Sequence, residues 1–161
     1  MSAEDRIALQ DVMLRYTSGV DDRDLDQYEA CFAEDCEIVG FGDKTYNGAR
    51  AWREYVEGAL TRFGATQHML GPQLATIDGD TAECRTDVQA LHYLMEPEGS
   101  TLTLWATYLT RMRRIEGEWK IARHELVSRG TKIDSAWVAL DTRPNWAFGR
   151  LSTWVLTHLS N

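Results

Sequence analysis

Long apolar runs are missing from this 161-residue chain. None approaches the ~18 residues that a membrane-spanning helix needs, and the opening MSAEDRIALQ is polar and acidic, unlike a signal peptide. These absences predict a cytoplasmic protein with no membrane partner. Cysteine is scarce. Cys31, Cys36 and Cys84 are an odd number, with no C-x-x-C spacing and no histidine at ligand spacing, so they form neither a disulfide framework nor a zinc site. They are expected to pack as small hydrophobes in a reducing compartment. Basic residues are outnumbered: 17 Lys and Arg face 25 Asp and Glu, a net charge of −8, the wrong sign for a protein that grips a phosphate backbone. Internal repeats, low-complexity segments and linkers are also absent.

What is present is ordinary globular material. Hydrophobic residues at 43% and charged residues at 26% argue against disorder and against fibres, and the length suits one domain with a core of its own. Six Trp and six Tyr are many for this length and could line a pocket or an interface as well as fill a core.

The first third reads as helical. Ser2-x-x-Asp5 is a capping-box pattern, and Leu9, Val12, Met13, Tyr16 and Val20 form one apolar stripe on a helix predicted to end near Gly19–Val20. Asp24, followed by Gln27 three residues on, caps a second predicted helix whose face of Leu25, Tyr28 and Phe32 runs until Asp35. A short apolar piece over 37–41 follows. Asn47-Gly48 then opens a third helix with Trp52, Tyr55, Val56, Ala59 and Leu60 on one side.

After Gly64 the period changes to two. A strand over 67–77 meets the hairpin signal Asp78-Gly79-Asp80. Ala82, Cys84, Thr86, Val88, Ala90 and His92 then alternate with mostly polar residues, which makes a long strand with one apolar face. Further strands are predicted over 101–113 and 119–127, joined by a tight turn at Glu116-Gly117. Helices first and an antiparallel meander second is the α+β layout. Residues 131–161 carry Trp137, Trp146 and Trp154 and a predicted helix over 145–159, a tail that belongs to the same domain as residues 1–130.

The candidate chemistry is a dispersed set. Asp21 closes the first helix, His68 opens the sheet, His92 shares a strand face with Val88 and Ala90, and Tyr108 lies on the next strand. Singly, each has an ordinary structural reading: a helix-terminal carboxylate, a hydrogen-bonded structural histidine, a core tyrosine. His124 and His158 have no supporting pattern and read as surface or packing residues.

Together with their surroundings these residues resemble a family. Arg15-Tyr16, then Asp21-x-x-Asp24-Leu25-Asp26, and Phe32-Ala33-Glu34-Asp35 are similar to the opening of SnoaL-like proteins of the NTF2-like superfamily. So are Gly48, Thr66-Gln67-His68, Asp78-Gly79-Asp80-Thr81-Ala82 and Gly117-Glu118-Trp119-Lys120-Ile121-Ala122, in order over residues 5–128. The resemblance implies a cone-shaped α+β barrel, with three N-terminal helices packed on a curved antiparallel or mixed sheet around an interior pocket.

It also implies chemistry. Scytalone dehydratase, the bile-acid 7α-dehydratases and hexachlorocyclohexane dehydrochlorinase use an Asp–His pair in that pocket, and Asp21 and His68 match it. The carboxylate fixes the imidazole tautomer and supports the imidazolium that forms when the other ring nitrogen removes a proton. Dehydration, isomerisation and cyclisation all begin with such a transfer, and no cofactor or metal is required. Tyr108 and His92 match pocket residues able to polarise a carbonyl or protonate a leaving hydroxyl. Two tyrosines of scytalone dehydratase are not carried over: this chain has Val20 before the aspartate and Gly40 near the second position.

The expected activity is therefore that of a lyase or isomerase on a small hydrophobic, polyketide- or steroid-like cyclic substrate. The alternatives are a non-catalytic NTF2-like module for a hydrophobic ligand or protein, and an epoxide-hydrolase type of enzyme. Asp21 and His68 are both expected to border the main cavity, within hydrogen-bond reach of each other. Leu91, Tyr93, Trp105 and Leu109 fall on the outward phase of the strands, which predicts a homo-oligomer, dimer or trimer, formed through the sheet.

Overall fold

The structure, a computed structural model, describes residues 3–135. Three helices and seven strands follow one another as α1 (Ala3–Asp21), α2 (Leu25–Ala30), β1 (Phe32–Val39), β2 (Tyr46–Asn47), α3 (Ala49–Leu60), β3 (Phe63–Leu70), β4 (Leu74–Asp78), β5 (Thr81–Leu94), β6 (Thr101–Ile115) and β7 (Glu118–Asp134). The predicted stripe of α1 is buried from Leu9 to Val20, and the helix runs on to Asp21. The α2 cap is as its sequence suggests: the Asp24 carboxylate accepts from the Gln27 backbone N–H at 3.0 Å.

Two elements depart from the local pattern. The second helix stops at Ala30, well short of Asp35, because the chain enters β1 instead. Phe32 pairs with Ile121 of β7, and the Ile121 N–H donates to the Cys31 carbonyl at 2.8 Å. A partner strand nearly ninety residues away thus overrides a helical period, as tertiary context routinely does. The strand expected over 67–77 is two strands, β3 and β4, both paired with β5. Between them the Gly71 N–H still donates to the Asp87 carbonyl of β5 at 2.7 Å, but Pro72 has no N–H to give a ladder.

The strand order is β2-β1-β7-β6-β5-β3, with β4 beside β3 on β5. The β1–β7 pair is parallel and the other pairs are antiparallel. The sheet is thus mixed and open, and the resemblance's barrel is not closed among the described residues. The β6–β7 hairpin closes in two residues, Glu116 (φ 52°) and Gly117 (φ 87°), a turn with both central residues left-handed that matches the strand twist. Strand β7 continues to Asp134, past the boundary expected at residue 130; the tail tryptophans, the helix over 145–159 and His158 lie outside the described residues.

One face of the sheet carries Ala82, Cys84, Val88, Ala90, Ala106, Tyr108 and Met112, which join the buried stripe of α1 and Trp52 of α3 in a single core. All three cysteines are free and buried there, each thiol pushed up to about 11 by burial. The opposite face alternates to the outside and leaves Trp105 and Leu109 partly exposed. No helix among the described residues is long and apolar enough to cross a membrane.

Candidate active site

The site begins where α1 ends against the sheet edge. Strand β3 is outermost beside β5, so alternate N–H groups of its backbone point away from any ladder partner. Asp21 supplies an acceptor there. Its Oδ2 accepts from the His68 backbone N–H at 2.7 Å, and its Oδ1 contacts the His68 ring Nδ1, also at 2.7 Å. The Thr66 hydroxyl, two residues earlier on the same face of β3, donates to Oδ1 at 2.9 Å.

Electrostatics follow from this arrangement. Burial raises the Asp21 pKa, but the His68 ring hydrogen bond and charge, the His68 backbone N–H and the Thr66 hydroxyl together outweigh it and hold the carboxyl below the usual value. A carboxylate bound to Nδ1 sets that nitrogen as the proton-bearing one and leaves Nε2 as the basic atom.

His92 is the diagonal neighbour of His68 across the β3–β5 ladder, where Thr66 pairs with His92 and His68 with Ala90. The two rings meet edge to face, centroids 5.5 Å apart. The His92 Nδ1 faces the Leu102 carbonyl at 3.3 Å, a partner that only accepts, so Nδ1 carries the proton and Nε2 the lone pair. Burial first, then the neighbouring His68, lower the His92 pKa, and the ring is neutral near pH 7.

His68, His92 and Tyr108 border one interior cavity of about 190 Å³. Its other walls are mostly apolar, among them Val20, Phe41, Trp52, Val56, Leu104 and Leu126, and exposed Tyr55 and Arg62 stand at its rim. Asp21 is not a wall of the cavity: it sits behind His68, which corrects the expectation that both residues border it. Two larger concavities, of about 540 and 420 Å³, lie around residues of the opposite sheet face, and a third, of about 370 Å³, is lined by charged residues such as Glu29, Arg53 and Glu57; none includes either histidine. We place the candidate site at the smallest of these four, because it alone of them joins an apolar enclosure to convergent polar groups.

Tyr108 is buried, and burial raises its pKa well above the usual value, so its hydroxyl keeps its proton. It packs against Tyr16, ring centroids 5.7 Å apart, and Tyr16 against Tyr28 at 5.0 Å. The Trp52 indole N–H donates to the Tyr28 hydroxyl at 2.7 Å. His124 is a packing residue and not a surface one. It is fully buried beside Tyr108 and Phe41, with Nδ1 at 3.0 Å from the Thr110 hydroxyl and Nε2 without a partner. Burial pushes its pKa down to about 3, which leaves it neutral.

Sequence reasoning gave no functional part to Thr66, Arg23 or Phe41. The Thr66-x-His68 alternation does put Thr66 on the histidine's face of the strand. Nothing local announces the other two. Gly40 explains one departure from the family pattern: it has φ +82°, and a Cβ there would fall 2.2 Å from the Leu126 carbonyl oxygen. No tyrosine fits that position. Among the described residues no three His, Cys, Asp or Glu side chains cluster as metal ligands.

Comparison with known proteins places this geometry in context. Residues 1–125 match the SnoaL-like domain. The uncharacterized protein Rv2910c of Mycobacterium tuberculosis is 33% identical over 85 residues, which are 50% of this chain and 56% of that protein, so the chain spans little more than half the length of this relative. A candidate scytalone dehydratase of Novosphingobium aromaticivorans superposes with a TM-score of 0.73 at 25% identity, covering 82% of this chain and 87% of the other. The hexachlorocyclohexane dehydrochlorinase LinA-type3 of Novosphingobium barchaimii gives 0.77 at 21% identity over 85% and 96%, a likeness of fold alone. With most of its length matched in one stretch, the chain belongs to the SnoaL-like domain family.

Proposed function

We propose that the protein is a cofactor-independent enzyme in which His68 is the general base and Asp21 its orienting partner. The observation that carries this reading is the 2.7 Å contact between the Asp21 carboxylate and the His68 ring at the cavity wall. Nε2 removes a proton next to a carbonyl, the imidazolium is held by Asp21, and the oxygen that gains charge accepts from Tyr108. His92, neutral and with a free lone pair, accepts from a substrate hydroxyl and orients it, a better part for it than proton donor. Dehydration, isomerisation and cyclisation share this first step. The candidate scytalone dehydratase among the structural neighbours favours elimination.

Cavity size narrows the substrate class. A dry cavity of about 150 Å³ holds benzene. At about 190 Å³, this one suits a single ring with small substituents, and a steroid nucleus would have to project past Tyr55 and Arg62. A monocyclic ketone or hydroxyketone is the substrate class that fits.

Nitrophenol, a one-ring analogue of an enolate, separates an enzyme from a passive binding module. Bound to the dyad it should ionise by giving its proton to His68, visible as the phenolate absorbance, and His68→Ala should weaken binding about a hundredfold (roughly 3 kcal/mol). Equal affinity in the two proteins would assign the cavity to a non-catalytic module.

The outer sheet face supports the oligomer proposed from the sequence. Met69, Leu74, Trp105 and Leu109 stand partly exposed on it, interspersed with Arg85, Arg111, Glu83 and Glu125, so that one copy offers both charge signs to another. Light scattering at micromolar concentration should report a dimer or trimer; a monomer rules it out.

A further inference from the structure

Arg23 is the least expected residue near the dyad. It follows α1 in the left-handed region, φ 63°, where glycine or asparagine is usual and other residues cost about 1–2 kcal/mol. Its guanidinium offsets that cost by bridging the two elements that carry the dyad. Nη1 donates to the Val20 carbonyl at 2.7 Å, at the end of α1, and to the Thr66 hydroxyl at 2.9 Å, on β3. Nη2 donates to the Gly64 carbonyl at the start of β3.

The chemistry of these groups gives the hydrogen bonds a direction. A guanidinium only donates, so the Thr66 oxygen must accept from Arg23. The single Thr66 proton is then free to go to one neighbour, Asp21 Oδ1. Asp21 already takes the His68 backbone N–H on Oδ2. Held by these two donors, the Asp21 carboxyl is ionised and only accepts, so the ring nitrogen of His68 that faces it at 2.7 Å must be N–H. Beyond His68 the cavity holds His92, its ring centroid 5.5 Å from that of His68, and Tyr108, with Arg62 at the rim.

We propose that Arg23 and Thr66 form a one-way hydrogen-bond relay, Arg23 to Thr66 to Asp21, that fixes the His68 tautomer with Nε2 unprotonated toward the cavity. Arg23 and Thr66 are positioning residues, since neither borders the cavity. The proposal deepens the dyad reading and rests on it for its purpose, but its test needs no substrate.

The experiment is NMR on the ligand-free protein, following the Asp21 carboxyl carbon through a pH titration and the two ring nitrogens of His68. In the wild type, Nδ1 should be protonated and Nε2 not. Thr66→Val keeps the volume and removes the hydroxyl. It should move the Asp21 titration to higher pH and mix in the other tautomer, while Thr66→Ser should restore both signals. Arg23→Gln should shift Asp21 the same way, and the double variant should shift it by less than the sum of the two, because Arg23 acts through Thr66.

An unmoved Asp21 titration in Thr66→Val overturns the relay, even if Arg23→Gln proves too unstable to study. Strictly additive shifts overturn it as well and reduce Arg23 to a charge or a helix brace. A relay confirmed in a protein that binds nitrophenol equally with and without His68 would leave this proposal standing and remove the catalytic one.

Discussion

Asp21 holds His68 twice, once through the backbone N–H and once through the ring Nδ1, each at 2.7 Å. One carboxylate thereby fixes both the strand position and the ring orientation of the histidine. If catalysis runs through that unit, His68→Ala and Asp21→Asn should each lower kcat by about 10²–10⁴-fold, and the double variant should be little worse than either single one. Steady-state kinetics of the three variants check this. Fully multiplicative losses would mean that the residues act independently.

Tyr108 should matter less. Tyr108→Phe removes one donor to the developing oxyanion and keeps the ring against Tyr16 and His124. The expected cost is about ten- to a hundredfold in kcat with KM nearly unchanged. A loss confined to KM would make Tyr108 a ground-state contact.

Gly40→Ala tests the close approach of the β1 end to β7. With φ +82° and a Cβ placed 2.2 Å from the Leu126 carbonyl oxygen, the backbone must move. Urea denaturation should show a loss of about 2–4 kcal/mol. A loss under about 0.5 kcal/mol, typical of a harmless surface change, would contradict the packing described.

The fold was legible where local chemistry and tertiary context agree. The α1 stripe, the Asp24 cap and the alternation of β5 each need only their own residues, and each stands as its pattern suggests. Residues 32–35 were misread because the apolar spacing from Leu25 to Phe32 is equally good for a helix, and only the distant strand β7 makes it a strand. The placement of Asp21 beside His68 came from family resemblance, since the two lie 47 positions apart with no local sign of that contact. Arg23 was invisible for a plainer reason: a left-handed arginine is recognised by the bonds it makes, and those to β3 reach 41 and 43 residues ahead.

Acid should destabilise the fold through its buried histidines. His124 has a folded pKa lowered by burial to about 3, against 6.5 when unfolded, and that of His92 is lowered too. Between these values the unfolded chain binds the proton and the folded one does not. The neutral rings therefore contribute full stability above about pH 6.5, and it is lost as pH falls toward 3, by a few kcal/mol in all. Asp21, lowered as a carboxylate, adds to the loss only below its ordinary range. His124→Leu should flatten the stability–pH curve between about pH 6.5 and pH 4, as measured by urea denaturation at each pH; an unchanged slope would place the acid sensitivity elsewhere.

Proton abstraction by His68 is tested most directly by hydrogen exchange into small cyclic ketones in D2O, followed by proton NMR. Cyclohexanone, cyclohex-2-enone and a hydroxycyclohexanone fit the volume of the cavity and need only the first step of the reaction. The wild-type protein should speed deuterium incorporation next to the carbonyl, and His68→Gln should abolish at least 99% of that acceleration. Exchange that is equally fast with His68→Gln, or no acceleration of any ketone shown to bind in the cavity, would contradict the assignment of His68 as the base.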